Sequence, residues 1–113
     1  MLAGSAPLSP ASSAALAASW VASAVPCVVH RATVTNTSGG TLYLHVCDAK
    51  TLPDDGTAPT TTPVTVSAGT ANGNDWRPQG LRFLEGCVVA LSSTLDTLTI
   101  AGSDVGRFFV EKV

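Results

Sequence analysis

The sequence contains few charged residues. Only 12% of its 113 residues are charged, about half the usual share in soluble domains. Six basic and eight acidic residues give a formal net charge of −2, and the basic residues are scattered along the chain. Proteins that bind nucleic acid or anionic membranes through charge need a basic stripe or patch. We therefore expect neither partner.

Long apolar runs are absent as well. A membrane-spanning helix needs about 18 or more apolar residues, and serines interrupt the nearest candidate, residues 14–25. Residues 14–24 also resemble the apolar part of a signal peptide, but residues 1–13 contain no Lys or Arg to precede it. We expect no membrane span and no cleaved signal.

The sequence contains only three cysteines, an odd number. Cys27, Cys47 and Cys87 lie among apolar residues, and none belongs to a C-x-x-C or a zinc-type spacing. We interpret all three as small buried side chains in reduced form. The alternative is a bridge from Cys87 to either Cys47 or Cys27, which would indicate an oxidising compartment.

From residue 26 onward the sequence is typical of short β-strands. Residues 27–37 are rich in β-branched side chains, and residues 41–49 alternate in polarity. Ser38-Gly39-Gly40 between them favours a hairpin. Residues 68–75 contain Asn-Gly and predict a chain reversal. Further strands are predicted at residues 63–67, 81–83, 87–91, 97–101 and 105–113. Residues 26–113 thus predict an all-β domain, an antiparallel β-sandwich or jelly-roll-like barrel of about six or seven strands.

Residues 1–25 differ in composition from the rest of the chain. They are mostly Ala, Ser, Leu, Gly and Pro, and they carry no charge. Ser9-Pro10 is typical of a helix start, but the apolar stripe that follows is narrow, and a lone helix of this length is marginal in water. We interpret residues 1–25 as an N-terminal Ala/Ser-rich arm, extended or a short helix, that orders against its own domain or a neighbour.

No catalytic motif is present in the sequence. His30 and His45, the only histidines, would face each other across the predicted hairpin, but no third metal ligand beyond Asp48 or a cysteine has a convincing spacing. Asp54 and Asp55 precede a glycine and are typical of a turn rather than of a calcium loop. We expect no catalytic, cofactor-binding or metal-binding residues, and therefore no enzyme.

Asn36-Thr37-Ser38 fits the acceptor pattern for N-glycosylation. Three-residue patterns of this kind are frequent by chance, and the glycines that follow favour a change of chain direction. Asn is also a common turn residue, because its side chain bonds to nearby backbone groups. We interpret the segment as the entrance to a turn.

Five residues are candidates for binding a partner protein. Trp and Arg are enriched at interface hot spots, which singles out Trp76 and Arg77; alternatively Trp76 closes one end of the core. Leu16, Trp20 and Val21 are the apolar residues of the arm, where little else is available for packing. The alternative for Trp20 is burial against its own sandwich.

Several short segments occur in a fixed order along the chain: Val34-Thr35-Asn36-Thr37-Ser38, Leu42-Tyr43-Leu44, Pro63-Val64, Gly80-Leu81-Arg82-Phe83, Gly86 and Val89-Ala90-Leu91-Ser92. As an ordered set they resemble small structural proteins of tailed-bacteriophage virions. The sequence departs from that pattern at Leu42, where a basic residue is expected, and at Leu84-Glu85, where Ser-Thr is expected. The resemblance implies a β-sandwich component of heads, necks or tails, with no catalytic residues to carry over.

These observations lead to one principal hypothesis and two alternatives. The principal hypothesis is a capsid decoration, or cement, protein that binds the major capsid protein or other virion proteins on the phage particle surface after assembly in the host cytoplasm. The resemblance implies a homo-oligomer, and we expect a trimer. The alternatives are a tail, neck or fibre-associated virion component, and a secreted β-sandwich adhesion module.

Overall fold

Two antiparallel sheets pack face to face in the computed structural model, which describes residues 9–13, 16–102 and 105–113. The first sheet has the order β1 (Ser9–Ser12), β9 (Gly106–Lys112), β3 (Cys27–Asn36) and β6 (Ala71–Asp75), and β7 (Leu81–Phe83) also pairs with β3. The second sheet has the order β2 (Ser19–Ser23), β8 (Cys87–Ser92), β4 (Leu42–Cys47) and β5 (Val64–Val66). The predicted all-β sandwich is confirmed, with nine strands and no helix in the described residues.

The core lies between the sheets and follows from strand alternation. Leu44 and Val46 of β4 face inward, opposite the inward-facing side chains of β3. On β3 the register shifts between Val29 and Arg31, so that Val29 and Ala32 both point into the core although they are three residues apart. Phe83 and Phe108 are the largest fully buried side chains. Burying one such side chain contributes about 1.5–3 kcal/mol.

The hairpin predicted from residues 27–49 is wrong. β3 lies in the first sheet and β4 in the second, so residues 37–41 connect the two layers instead of turning within one. Asn36 explains the difference, because its buried side chain bonds within this connection and to β5 of the second sheet. Asn36-Thr37-Ser38 is the entrance to this connection and not to a hairpin turn: Asn36 Oδ1 accepts hydrogen bonds from Ser38 N and from the Ser38 hydroxyl.

The described part of the N-terminal segment is extended, not helical. β1 pairs with β9 in the first sheet, and the backbone of Ala17 then bonds to that of Gly106. The chain next crosses to the second sheet, where β2 pairs with β8. Of the two alternatives for this segment, extended or a short helix, the described residues show the extended one, because strand partners satisfy the backbone groups that an isolated helix would satisfy internally. Residues 1–8, 14 and 15 of the predicted arm lie outside the described residues.

Two other predictions differ from the structure. Residues 71–75 of the predicted reversal form strand β6, in which a Cβ at Gly73 would overlap the carbonyl oxygen of Ala32 on β3. The predicted strand at residues 97–101 is reduced to a single bridge between Ser92 and Ile100. Leu98, which is fully buried, is the apolar residue that made this segment resemble a strand in the sequence.

Candidate interaction surface

Strand β2 forms one edge of the second sheet. It pairs with β8 on one side and with no described strand on the other. Val21 on this strand is 41% exposed. Leu16, which is 39% exposed, lies before β2 in the chain, next to Ala17 at its bridge to Gly106 of the first sheet. Exposed edges are usually protected by charged side chains, proline, short strands or bulges. β2 carries no charge and no proline, and its protection is limited to its length of five residues and a register shift between Val21 and Ser23.

Trp20 lies on the same strand but points the other way. It is half-buried and packs against the hydrophobic core, opposite Val89 of β8. The alternative in which Trp20 packs on its own sandwich therefore describes its position in the structure. The indole fixes β2 on the core and leaves Val21 on the outer side. We name Leu16, Trp20 and Val21 together the β2 edge.

The other three sheet edges are better protected than β2. β1 contains Pro10, which has no N–H to offer a new strand. On β6, the Asn72 side chain accepts a hydrogen bond from Gly73 N at 2.8 Å and donates one to Thr65 O of β5 at 3.0 Å. This amide occupies groups on both strands and links β6 to β5. The β2 edge is thus the edge that another protein can most readily approach.

Trp76 and Arg77 do not join the β2 edge. They follow β6, which lies at the opposite end of the strand order from β1, the strand continuous with β2. Trp76 is half-buried and makes an edge-to-face contact with Phe83, with ring centroids 6.4 Å apart. Its position matches the alternative in which it closes the core.

Arg77 is exposed and already paired. Its guanidinium donates to both carboxylate oxygens of Asp75, from Nε at 2.9 Å and from a terminal nitrogen at 2.6 Å. The Arg77 side chain holds the pKa of the Asp75 carboxyl well below its usual range. This local pair shapes the β6–β7 turn, and binding a partner through Arg77 would compete with it.

Sequence reasoning missed several exposed apolar residues in the described part of the chain, and Val25 and Leu84 are the most exposed of them. Val25 is 63% exposed and Leu84 is 69% exposed. Their turns meet at one end of the sandwich, because Gly86 approaches the carbonyl oxygens of both Ser23 and Ala49. The sequence signal was Leu84 itself, an apolar residue directly before Glu85 and Gly86.

Asp48 holds the Leu84 turn in place. Its carboxylate accepts hydrogen bonds from Leu84 N at 2.9 Å, Glu85 N at 2.8 Å and Gly86 N at 3.3 Å. Burial alone would raise the pKa of Asp48, but these three N–H groups stabilise the anion and lower the pKa below its ordinary value. The exposed position of Leu84 is therefore fixed by a specific internal contact.

The groups with reactive potential are separated or inert. His30 and His45 lie in different sheets, and the described residues contain no group of three metal-ligating side chains. All three cysteines are free and buried, as predicted. Burial raises the pKa of the Cys87 thiol to about 12, which leaves almost no thiolate near neutral pH.

Comparisons with protein-family models, curated proteins and solved structures each find no match to this chain. No helix in residues 9–13, 16–102 and 105–113 is long and apolar enough to cross a membrane. The features that bear on function are therefore those of the chain itself, above all the uncharged β2 edge.

Proposed function

We propose that the protein is a non-enzymatic structural component of a tailed-bacteriophage virion and, within it, a decoration protein on the outer surface of the head. The observation that carries this proposal is the β2 edge, with a strand that carries neither charge nor proline and with the exposed side chains of Leu16 and Val21. Edges of this kind pair with another chain unless they are covered. The sequence resemblance to phage structural proteins supplies the kind of partner.

The partner under this proposal is the major capsid protein. A decoration protein needs only modest affinity at each contact, because many copies on one particle, and several contacts per oligomer, add through multivalency. Two partly exposed aliphatic residues supply such a contact: complete burial of one contributes about 1.5–3 kcal/mol before ordering costs, and about 40% of each side chain is still exposed. A closed trimer would present three β2 edges to a three-fold position of the shell.

Binding to phage heads tests the proposal. The purified chain is mixed with heads that lack it, the particles are pelleted, and bound copies are counted by quantitative mass spectrometry. We expect saturable binding in a multiple of three copies. Binding to isolated tails, necks or fibres instead would favour the alternative virion location. Binding to neither heads nor tails, with binding to a cell surface, would overturn the proposal in favour of an adhesion module.

A further inference from the structure

The outer face of the second sheet is covered by the chain itself. Alternation on β4 places His45 and Cys47 on this face, next to Ala90 and Val88 of β8, and all four are buried. Residues 93–99 follow β8 directly and fold back over the face. We name these residues the cover. Without the cover, this face would expose a mostly apolar patch to solvent.

The cover is held by backbone hydrogen bonds to a second loop. Leu98 N donates to Thr57 O at 2.8 Å, and Gly56 N donates to Leu98 O at 2.7 Å. Leu98 is fully buried beneath these contacts. Within the cover, Ser93 N donates to Thr99 O at 2.9 Å. The cover is therefore an ordered, closed element with its own small apolar contact.

His45 is the polar side chain beneath the cover. The imidazole is fully buried, and its Nε2 lies 3.1 Å from the carbonyl oxygen of Thr94 in the cover. A carbonyl oxygen can only accept, so Nε2 carries the hydrogen. Nδ1 is buried without a hydrogen-bond partner. In the neutral ring, Nδ1 carries only a lone pair. Protonation adds a hydrogen to Nδ1 and buries a positively charged N–H that has no acceptor, which costs far more free energy.

We propose that His45 is an acid-sensitive latch whose protonation releases the cover and exposes the apolar outer face of the second sheet. This inference does not depend on the virion role. It rests on three observations at one place: complete burial of the ring, the hydrogen bond from Nε2 to Thr94 O of the cover, and the buried Nδ1 without a hydrogen-bond partner.

The sign of the pH dependence follows from burial. Burial lowers the pKa of His45 from its ordinary value of 6.5. The carbonyl groups of Thr94 and Leu95 raise the pKa, but burial is the larger effect. Release of the cover restores the ordinary pKa, so the open form binds more protons than the closed form. Opening becomes up to about tenfold more favourable for each pH unit below about 6.5, until the closed form also takes up the proton.

Few other titratable groups surround His45. On β4 they are Tyr43 and the buried Cys47, and β8 contributes none on this face. The only charged residue of the cover is Asp96, which is exposed. The loop opposite carries Lys50, Asp54 and Asp55, all exposed, and Asp55 accepts a hydrogen bond from Ile100 N. The pKa of His45 is shifted by burial and by backbone carbonyl groups rather than by any of these charges.

Hydrogen exchange at two pH values tests the latch. Protection of the Ser93 and Leu98 amides, corrected for intrinsic exchange, is measured near neutral pH and near pH 5. We expect protection to fall by up to about tenfold per pH unit in the wild type. His45→Gln keeps a donor for Thr94 O but does not titrate, so its protection should not change with pH. His30→Gln, in the other sheet, is the matched control and should behave as the wild type.

A thiol-labelling readout keeps the test decisive if His45→Gln does not fold. Cys47 lies on the same face as His45, beside the backbone of Thr60 in the loop that is hydrogen-bonded to the cover at Thr57. In the wild type, a pyridyl disulfide that reacts in acid should label Cys47 when the cover opens and frees this loop, while Cys27 and Cys87 in the main core stay unlabelled. Equal labelling of all three thiols would show global unfolding and overturn the latch. The latch is also overturned if amide protection in the wild type is independent of pH, or if it falls equally with pH in a folded His45→Gln variant.

Discussion

Asn36 in the first sheet donates a hydrogen bond from Nδ2 to the carbonyl oxygen of Val66 in the second sheet, over 2.9 Å. The same nitrogen donates to Gly40 O at 2.9 Å, and Oδ1 accepts from Ser38 N at 2.9 Å and from the Ser38 hydroxyl at 2.7 Å. One buried amide thus ties the two layers together and shapes the connection between them.

Replacing this amide should destabilise the fold. In Asn36→Ala the buried backbone groups at Val66 and Ser38 lose their partner, which costs about 1–3 kcal/mol for each group left unsatisfied. Asn72→Ala is the matched control: its side chain also links the sheets, but it is exposed, and we expect a loss below about 1 kcal/mol. Urea unfolding measures both, and equal losses would contradict the role of Asn36.

Asp48 should make the protein sensitive to acid. Its pKa is lowered in the folded state, so the stabilisation is present above the ordinary value of 3.8 and is lost as the pH falls through the folded-state pKa. Asp48→Ala should lower the melting temperature near neutral pH, with less further loss in acid than the wild type shows. Parallel curves for wild type and variant below pH 3.8 would argue against this contact.

Trp20 should contribute to folding and Val21 should not. Truncating a core Trp costs about 3–5 kcal/mol, so the half-buried indole of Trp20 should cost roughly 1.5–2.5 kcal/mol in Trp20→Ala. Val21→Ser, on the solvent side, should stay within about 0.5 kcal/mol of the wild type. Thermal unfolding of both variants measures the difference, and the opposite order would refute the orientation of β2.

Deleting residues 1–25 should have a larger effect than either substitution. The 26–113 fragment loses β1 and β2, which leaves β9 and β8 as unprotected edges and uncovers the core beneath Trp20. We expect a lower melting temperature and concentration-dependent association, because unprotected edges pair with other chains. A fragment that stays monomeric with an unchanged melting temperature would show that the N-terminal strands do not stabilise the sandwich.

The three thiols should be protected in the native state and free after unfolding. Alkylation without reductant should modify none of the cysteines in the folded protein at neutral pH, because all three are buried. The same reaction in denaturant should modify all three. A single modified thiol would establish a disulfide between the other two.

The strands that the sequence predicted are those with strong apolar patterns. β3, β4, β5, β7, β8 and β9 lie within one or two residues of their predicted bounds, because their side chains fill the core. β6 was not predicted: its residues are mostly polar, and Gly73 is required by a close approach to β3 that no local pattern reveals. β1 and β2 are built from Ala and Ser, and they become strands because β9 and β8 supply their hydrogen-bond partners.

The candidate surface was predicted in part. Leu16 and Val21 stand out in sequence because apolar side chains are rare in their segment, and both are exposed. Trp20 faces the core and Val21 faces solvent because of the way β2 pairs with β8, a strand that is distant in sequence. The exposure of Val25 and Leu84 likewise depends on turns that only the fold brings together.

Occupancy of Val21→Asp on undecorated phage heads tests the proposed function most directly. A carboxylate on β2 adds the charge that protected edges carry and opposes pairing with a partner. Thr65→Asp, on the exposed part of the β5 edge, is the matched control. With both variants melting as the wild type does, we predict that Val21→Asp loses binding while Thr65→Asp saturates the heads. Full occupancy by Val21→Asp would contradict the account.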